Sequence, residues 1–168
     1  MRNFELSLSR RLSLALFAAT LLVPTVTMAG SAVPFKASIA ITELIHTVGT
    51  GACYLTGDIS GTGEATHLGH VTLVSHDCIN PINEIGTEFS FSSTQLVLTA
   101  ANGDQIFATY SGIFTIQGPV GAIAGGYQIV GGTGRFSHAT GAGTVQGVED
   151  VTASPPKGQI QLSGTISY

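Results

Sequence analysis

Hydrophobic and polar residues alternate with a period of two through most of the chain after residue 30, and almost no stretch there has helical spacing. Lys36, Ser38, Ala40 and Thr42 alternate with Ala37, Ile39, Ile41 and Glu43. That pattern predicts a strand from Phe35 to Val48 with an irregularity near Glu43-Leu44. A turn at Gly49-Thr50-Gly51 precedes a second predicted strand, Ala52 to Ser60. Gly61-Thr62-Gly63 is then expected to bend or bulge the chain. The run through His70 and Val74 predicts a third strand ending near Asp77-Cys78, and Pro81 with its flanking asparagines marks a loop to about Gly86.

Thr87 to Ser92 reads as a strand, and Thr94 to Ala100 as another or its continuation. Asn102-Gly103 between two alternating runs is the strongest short-range hairpin signal in the chain, because a type I′ turn needs φ > 0 at both central positions. Further strand patterns cover Ile113–Ile116, Ala122–Val130 (interrupted at Gly125-Gly126), Thr144–Val148 and Gln159–Tyr168. About eight strands at such spacing predict an all-β fold, a sandwich or barrel. The last strand pattern runs to Tyr168, and pairing it with the first strand would remove both sheet edges. The 22 glycines also suit the corners of a small barrel. The expectation is an eight-stranded antiparallel closed barrel over 30–168. Gly61–His67 and Gly132–His138 share the pattern G-T-G-x-x-[ST]-H, which reads equally as chance or as two half-barrels.

Composition changes the picture in two ways. Arg2, Arg10 and Arg11 precede an apolar run from Leu12 to Val23 and the small residues of Thr27-Met28-Ala29, the layout of a secretion signal cleaved after Ala29. The apolar run is short for a membrane span, so the expected address is periplasmic or extracellular. After Ala29 only Lys36, Arg135 and Lys157 are basic, against nine acidic residues. That balance argues against nucleic acid and anionic membrane surfaces as partners. Cys53 and Cys78 both follow the signal, and two cysteines in an oxidising compartment predict a disulfide.

Candidate chemistry is sparse. His67 shares strand parity with Ala65, Val71 and Leu73, which allows an inward imidazole that binds a ligand or acts as a base. The alternative is a histidine bonded to backbone that ties down its turn. Tyr54, Tyr110 and Tyr127 are the only side chains that would complete a polar pair with His67, and Arg135 would either bind a carboxylate ligand or hold its own turn. His67, His70 and His76 do not converge as metal ligands at their strand spacing. Glu84, Glu88, Glu149 and Asp150 lack any paired, desolvated setting in the sequence. Nucleophile-elbow and phosphate-loop patterns are absent, and no cofactor is expected.

The turn Gly131-Gly132-Thr133-Gly134-Arg135-Phe136, followed by Ala139-x-Gly141, resembles that of plant dirigent proteins and the related allene oxide cyclase barrels. Gly63–Gly69, the hairpin Ala101–Asp104 and the closing Ser163–Tyr168 look like small exported bacterial proteins of the same group. The resemblance implies a calycin-like antiparallel barrel with a central cavity, often in a small homo-oligomer. It gives no positions on which to place the plant enzymes' catalytic residues. Eight strands leave room for side chains or one small ligand. The expected role is therefore binding of a small apolar ligand, or an interaction module. A cofactor-free cyclase, isomerase or stereochemical guide is the alternative.

Overall fold

A computed structural model of the chain describes residues 30–47 and 51–168; the expected signal over 1–29 lies outside the described residues. Eight strands follow one another: β1 (Val33–Thr47), β2 (Leu55–Ala65), β3 (Gly69–Pro81), β4 (Glu88–Ala100), β5 (Gln105–Gln117), β6 (Val120–Gly132), β7 (Thr140–Asp150) and β8 (Lys157–Ser167). Each is antiparallel to the next, and β8 pairs with β1 from Val33↔Ile166 to Thr42↔Lys157, so the sheet closes on itself. Closure satisfies the backbone donors and acceptors that two free edges would leave unpaired. The all-β closed barrel is therefore as the alternation predicts.

Several element boundaries differ from the sequence reading. β2 runs unbroken through Gly61-Thr62-Gly63, where a bend was expected. Gly61 and Gly63 are needed there for space: a Cβ on Gly63 would lie 2.0 Å from the Ser38 carbonyl oxygen of β1. β6 likewise continues through Gly125-Gly126. The two runs expected from Thr87 and from Thr94 form one strand, β4, which begins at Glu88 and in which Ser93↔Tyr110 and Leu96↔Ala108 bracket one extra residue, a β-bulge at Thr94-Gln95. β3 continues to Pro81, whose missing N–H is tolerated at a strand end.

The two ends of the barrel differ. The β2–β3, β4–β5 and β6–β7 connections gather at one end, with Gly30 and Tyr168, and this end is closed. The Asn102-Gly103 turn lies here, but only Gly103 takes a positive φ, +88°, so it is not the type I′ turn expected; the Asn102 side chain accepts from Asp104 N at 3.1 Å. Gly134–Phe136 forms a single 3-10 turn that lays the fully buried Phe136 across the opening. The Tyr168 ring packs 4.9 Å from Phe136 and 5.7 Å from His67. Phe35, Leu98, Ile106 and Ile166, each at most 1% exposed, fill the interior below.

The two G-T-G-x-x-[ST]-H segments meet at this closed end without sharing a conformation. Gly61–Glu64 is strand, whereas Gly134–Phe136 is 3-10 turn. The Arg135 guanidinium donates to the carbonyl of His67 and lies 3.7 Å from the Asp104 carboxylate. His67 takes φ +68° in the β2–β3 turn and donates from Nε2 to Pro34 O at 2.9 Å. Arg135→Ala should therefore lower stability by roughly 1–2 kcal/mol in a urea melt. A stability loss below the error of the melt would show that this clasp contributes nothing.

Candidate functional site

The open half of the barrel contains a cavity of about 270 Å³. Its walls are the inward positions of every strand, chiefly isoleucines and the rings of Phe89, Phe91 and Phe114. Glycines seat some of these rings. A Cβ on Gly121 would lie 2.0 Å from the Phe114 ring, and one on Gly112 would lie 2.6 Å from the Phe91 ring. Inward glycines thus accommodate aromatic side chains, and the remaining space is the cavity. Tyr127, edge-on to Phe35 with centroids 6.2 Å apart, belongs to the packed layer beneath.

Four polar groups line this apolar chamber: Glu43 on β1, Asp77 on β3, Tyr110 on β5 and Glu149 on β7. Each stands in the inward register of its strand, so alternation aims it at the chamber instead of at water. Glu43 follows Ile39 and Ile41, Asp77 follows Leu73 and Ser75, and Glu149 follows Val145 and Gly147. Gly57 makes room for Glu43, because a Cβ there would lie 2.0 Å from the Glu43 Oε1. Gly158, paired with both Ile41 and Glu149, keeps β8 clear beside the two carboxyls.

Asp77 is well supplied with donors. Tyr110 donates its hydroxyl hydrogen to Asp77 Oδ1, and the Ser75 hydroxyl lies 3.0 Å from the same oxygen. Ser93, at the edge of the β4 bulge, donates to His76 O at 2.7 Å and sits 3.0 Å from Ser75, so the bulge completes the network. Burial raises Asp77 to about 6, against the opposing pull of the Tyr110 and Ser75 hydrogen bonds. The Tyr110 hydroxyl is pushed well above its ordinary value by burial and by the adjacent Asp77, and stays protonated.

Glu43 and Glu149 lie within hydrogen-bonding reach of each other. Two carboxyls that close cannot both ionise cheaply in an apolar chamber. Burial first, then the charges of Glu149 and Asp77, lift Glu43 to about 8. Burial also raises Glu149. At neutral pH Glu43 keeps its proton. Glu149 is 4% exposed, and its Oε1 has no hydrogen-bond partner among the described residues.

Of the residues singled out from the sequence, Tyr110 lines the cavity. Tyr127 is 3% exposed in the layer below, with its hydroxyl unpartnered and raised to about 12 by burial. Tyr54 is 60% exposed beside the mouth, and His67 and Arg135 are at the closed end, so the structure does not bring these five together. Glu149, which looked unpaired in the sequence, is both paired and desolvated, because strand closure sets β7 close to β1 with only β8 between. Glu43 and Asp77 were missed. The available signal was an acid in the apolar register of a strand.

On the outer face, His46 and His76 both bond Asp58, at 3.0 and 2.6 Å, and hold its carboxyl below the usual range. Among the described residues no three His, Cys, Asp or Glu side chains converge as metal ligands. The Cys53–Cys78 disulfide is formed, linking the segment before β2 to β3 near the open end. No helix among the described residues is long and apolar enough to cross a membrane. Both features are compatible with an exported protein. Comparison with protein-family models, with curated proteins and with solved structures gives no match.

Proposed function

We propose that this chain is an exported binding barrel, periplasmic or extracellular, that holds one small and largely apolar molecule in its open half. The observation that carries this reading is the chamber of about 270 Å³, apolar on most sides and polar at one cluster of side chains. That layout, an apolar enclosure with few convergent polar groups, is what small-molecule sites have in common, and its volume falls just under their usual range of about 300–1,000 Å³. The resemblance to dirigent and allene oxide cyclase barrels, which implies a central cavity, is consistent with such a chamber. Exposed Tyr54, Ile82 and Ile85 near the mouth supply apolar surface that a ligand crosses on entry or a partner covers.

A titration with 1-octanol, followed in the isoleucine methyl region of a carbon–proton NMR spectrum, tests the site. Ile41, Ile79 and Ile123 are expected to shift, while Ile106 and Ile166 in the closed half stay still. Uniform shifts, or none, would remove the cavity as the binding site. Native mass spectrometry of the protein recovered from its own host would add the mass of any resident molecule.

One observation favours a second reading as a cofactor-free isomerase or cyclase. A carboxyl that keeps its proton near neutral pH, with a second carboxyl beside it, is equipped to pass protons to and from a bound molecule. Turnover of a bound ligand would be abolished by Glu43→Gln under this reading, with binding retained.

A further inference from the structure

The carrier reading leaves the ligand's chemistry open, and the polar wall of the chamber narrows it. Resting on that reading, we infer that the occupant is an amphipathic organic monocation, with an ammonium head between Glu43, Glu149 and Asp77 and an apolar body against Phe89, Phe91 and Ile123.

The argument is one of charge and of hydrogen-bond accounting. Three carboxyl groups face the chamber from β1, β3 and β7, and among the described residues no basic side chain joins them. The basic residues among those described are Lys36, Lys157 and Arg135, all exposed, and Arg135 is engaged with His67 and Asp104 at the opposite end. The other groups facing the carboxyls are the Tyr110 and Ser75 hydroxyls, while His76 reaches Asp77 only electrostatically from the outer face. The protein satisfies Asp77 from its own donors. It leaves Glu149, a side chain 4% exposed that lines the chamber, with no donor to its Oε1 among the described residues. A buried carboxylate oxygen without a donor costs free energy, and a ligand that brings the donor recovers it. An ammonium brings several N–H groups together with the missing charge. An alcohol brings one donor and no charge, and a carboxylate ligand adds a fourth acid to a site that already strains to hold three.

A bound cation stabilises the ionised forms, so the head displaces the proton that Glu43 holds. Alkylammonium groups, with pKa values near that of lysine, remain charged throughout the range in which these acids titrate. Binding of a cation therefore strengthens as pH rises from 5 to 8.5, binding of a neutral alcohol changes little, and binding of an anion weakens.

Isothermal titration of the oxidised protein with octylammonium, 1-octanol and octanoate at pH 5 and pH 8.5 tests the inference. Octylammonium should bind about 10- to 100-fold more tightly than octanol at pH 8.5, the span expected of charge-assisted hydrogen bonds, and the gap should close to within a few-fold at pH 5. Proton release at pH 7, seen as a dependence of the heat on the buffer's ionisation enthalpy, should accompany the cation alone. Glu149→Gln should narrow the gap between octylammonium and octanol; Asp77→Asn serves the same purpose if that variant fails to fold. Equal affinity for octanol and octylammonium, or preference for octanoate, overturns the cation and leaves the cavity standing. If none of the three binds, the carrier reading falls with it.

Discussion

At pH 9 the Glu43→Gln protein is expected to unfold roughly 5–10 °C above the unaltered chain, and the difference should vanish by pH 5. The direction follows from the shift. Glu43 moves from an ordinary carboxylate value of 4.5 to about 8 on folding. A carboxyl that binds its proton more tightly when folded favours the folded state below its ordinary pKa, and that stability is lost as pH rises through the folded value. The window is therefore pH 4.5 to 8, and by its upper edge the loss amounts to roughly 3–5 kcal/mol. Glutamine keeps the shape and an N–H for Glu149 but cannot ionise. Melts of both proteins from pH 4 to 9 would decide it. Parallel curves would mean that the chamber admits enough water to solvate Glu43 fully. A saturating alkylammonium ligand should reverse the pattern, protecting the unaltered chain most at high pH.

Loss of the disulfide should have an effect of similar size and opposite sign. Cys53 and Cys78 are 25 residues apart, and opening a loop of that size releases chain entropy worth roughly 3–4 kcal/mol to the unfolded state. The Cys53→Ser/Cys78→Ser protein should melt about 10 °C lower, and the unaltered chain in a phosphine reductant should match it. The weakening should concentrate at the mouth, where Tyr54 N bonds Ile79 O at 3.1 Å and Asn80 Oδ1 at 2.9 Å. Hydrogen exchange at Tyr54 should accelerate more than at Ile106 in the closed half. Equal melting temperatures for the oxidised and reduced protein would contradict the assignment of the bridge as a stabilising element.

How much of this was legible in the sequence depends on whether the determining interactions were local. The Asn102-Gly103 hairpin was readable because its backbone chemistry is contained in four residues. Closure was readable from the strand pattern running to Tyr168, because an unpaired final strand would have left an exposed edge. Strand limits were less so: β2 extends to Ala65 because β1 and β3 offer partners that far, which nothing within Gly61–Gly63 announces. The bulge at Thr94-Gln95 depends on register with both neighbouring strands. The carboxyl cluster lay between these cases. Glu43 visibly occupied the register of Ile39 and Ile41, but only the stagger of eight closed strands brings it to the height of Asp77 and Glu149. Tyr110 was found for its chemistry, and its partner Asp77 became apparent only in the folded barrel.

Gly30 sits directly against Tyr168, with a Cβ on Gly30 falling 2.8 Å from the Tyr168 carbonyl oxygen, at the end sealed by Phe136. Both ends of the described chain therefore leave the barrel from its base. A lipid anchor, a purification handle or a fluorescent reporter attached at either end would hold the molecule like a cup on its stem, mouth outward. Immobilisation through those ends should present every copy with its chamber facing solution, an orientation suited to capturing small molecules from a flowing sample.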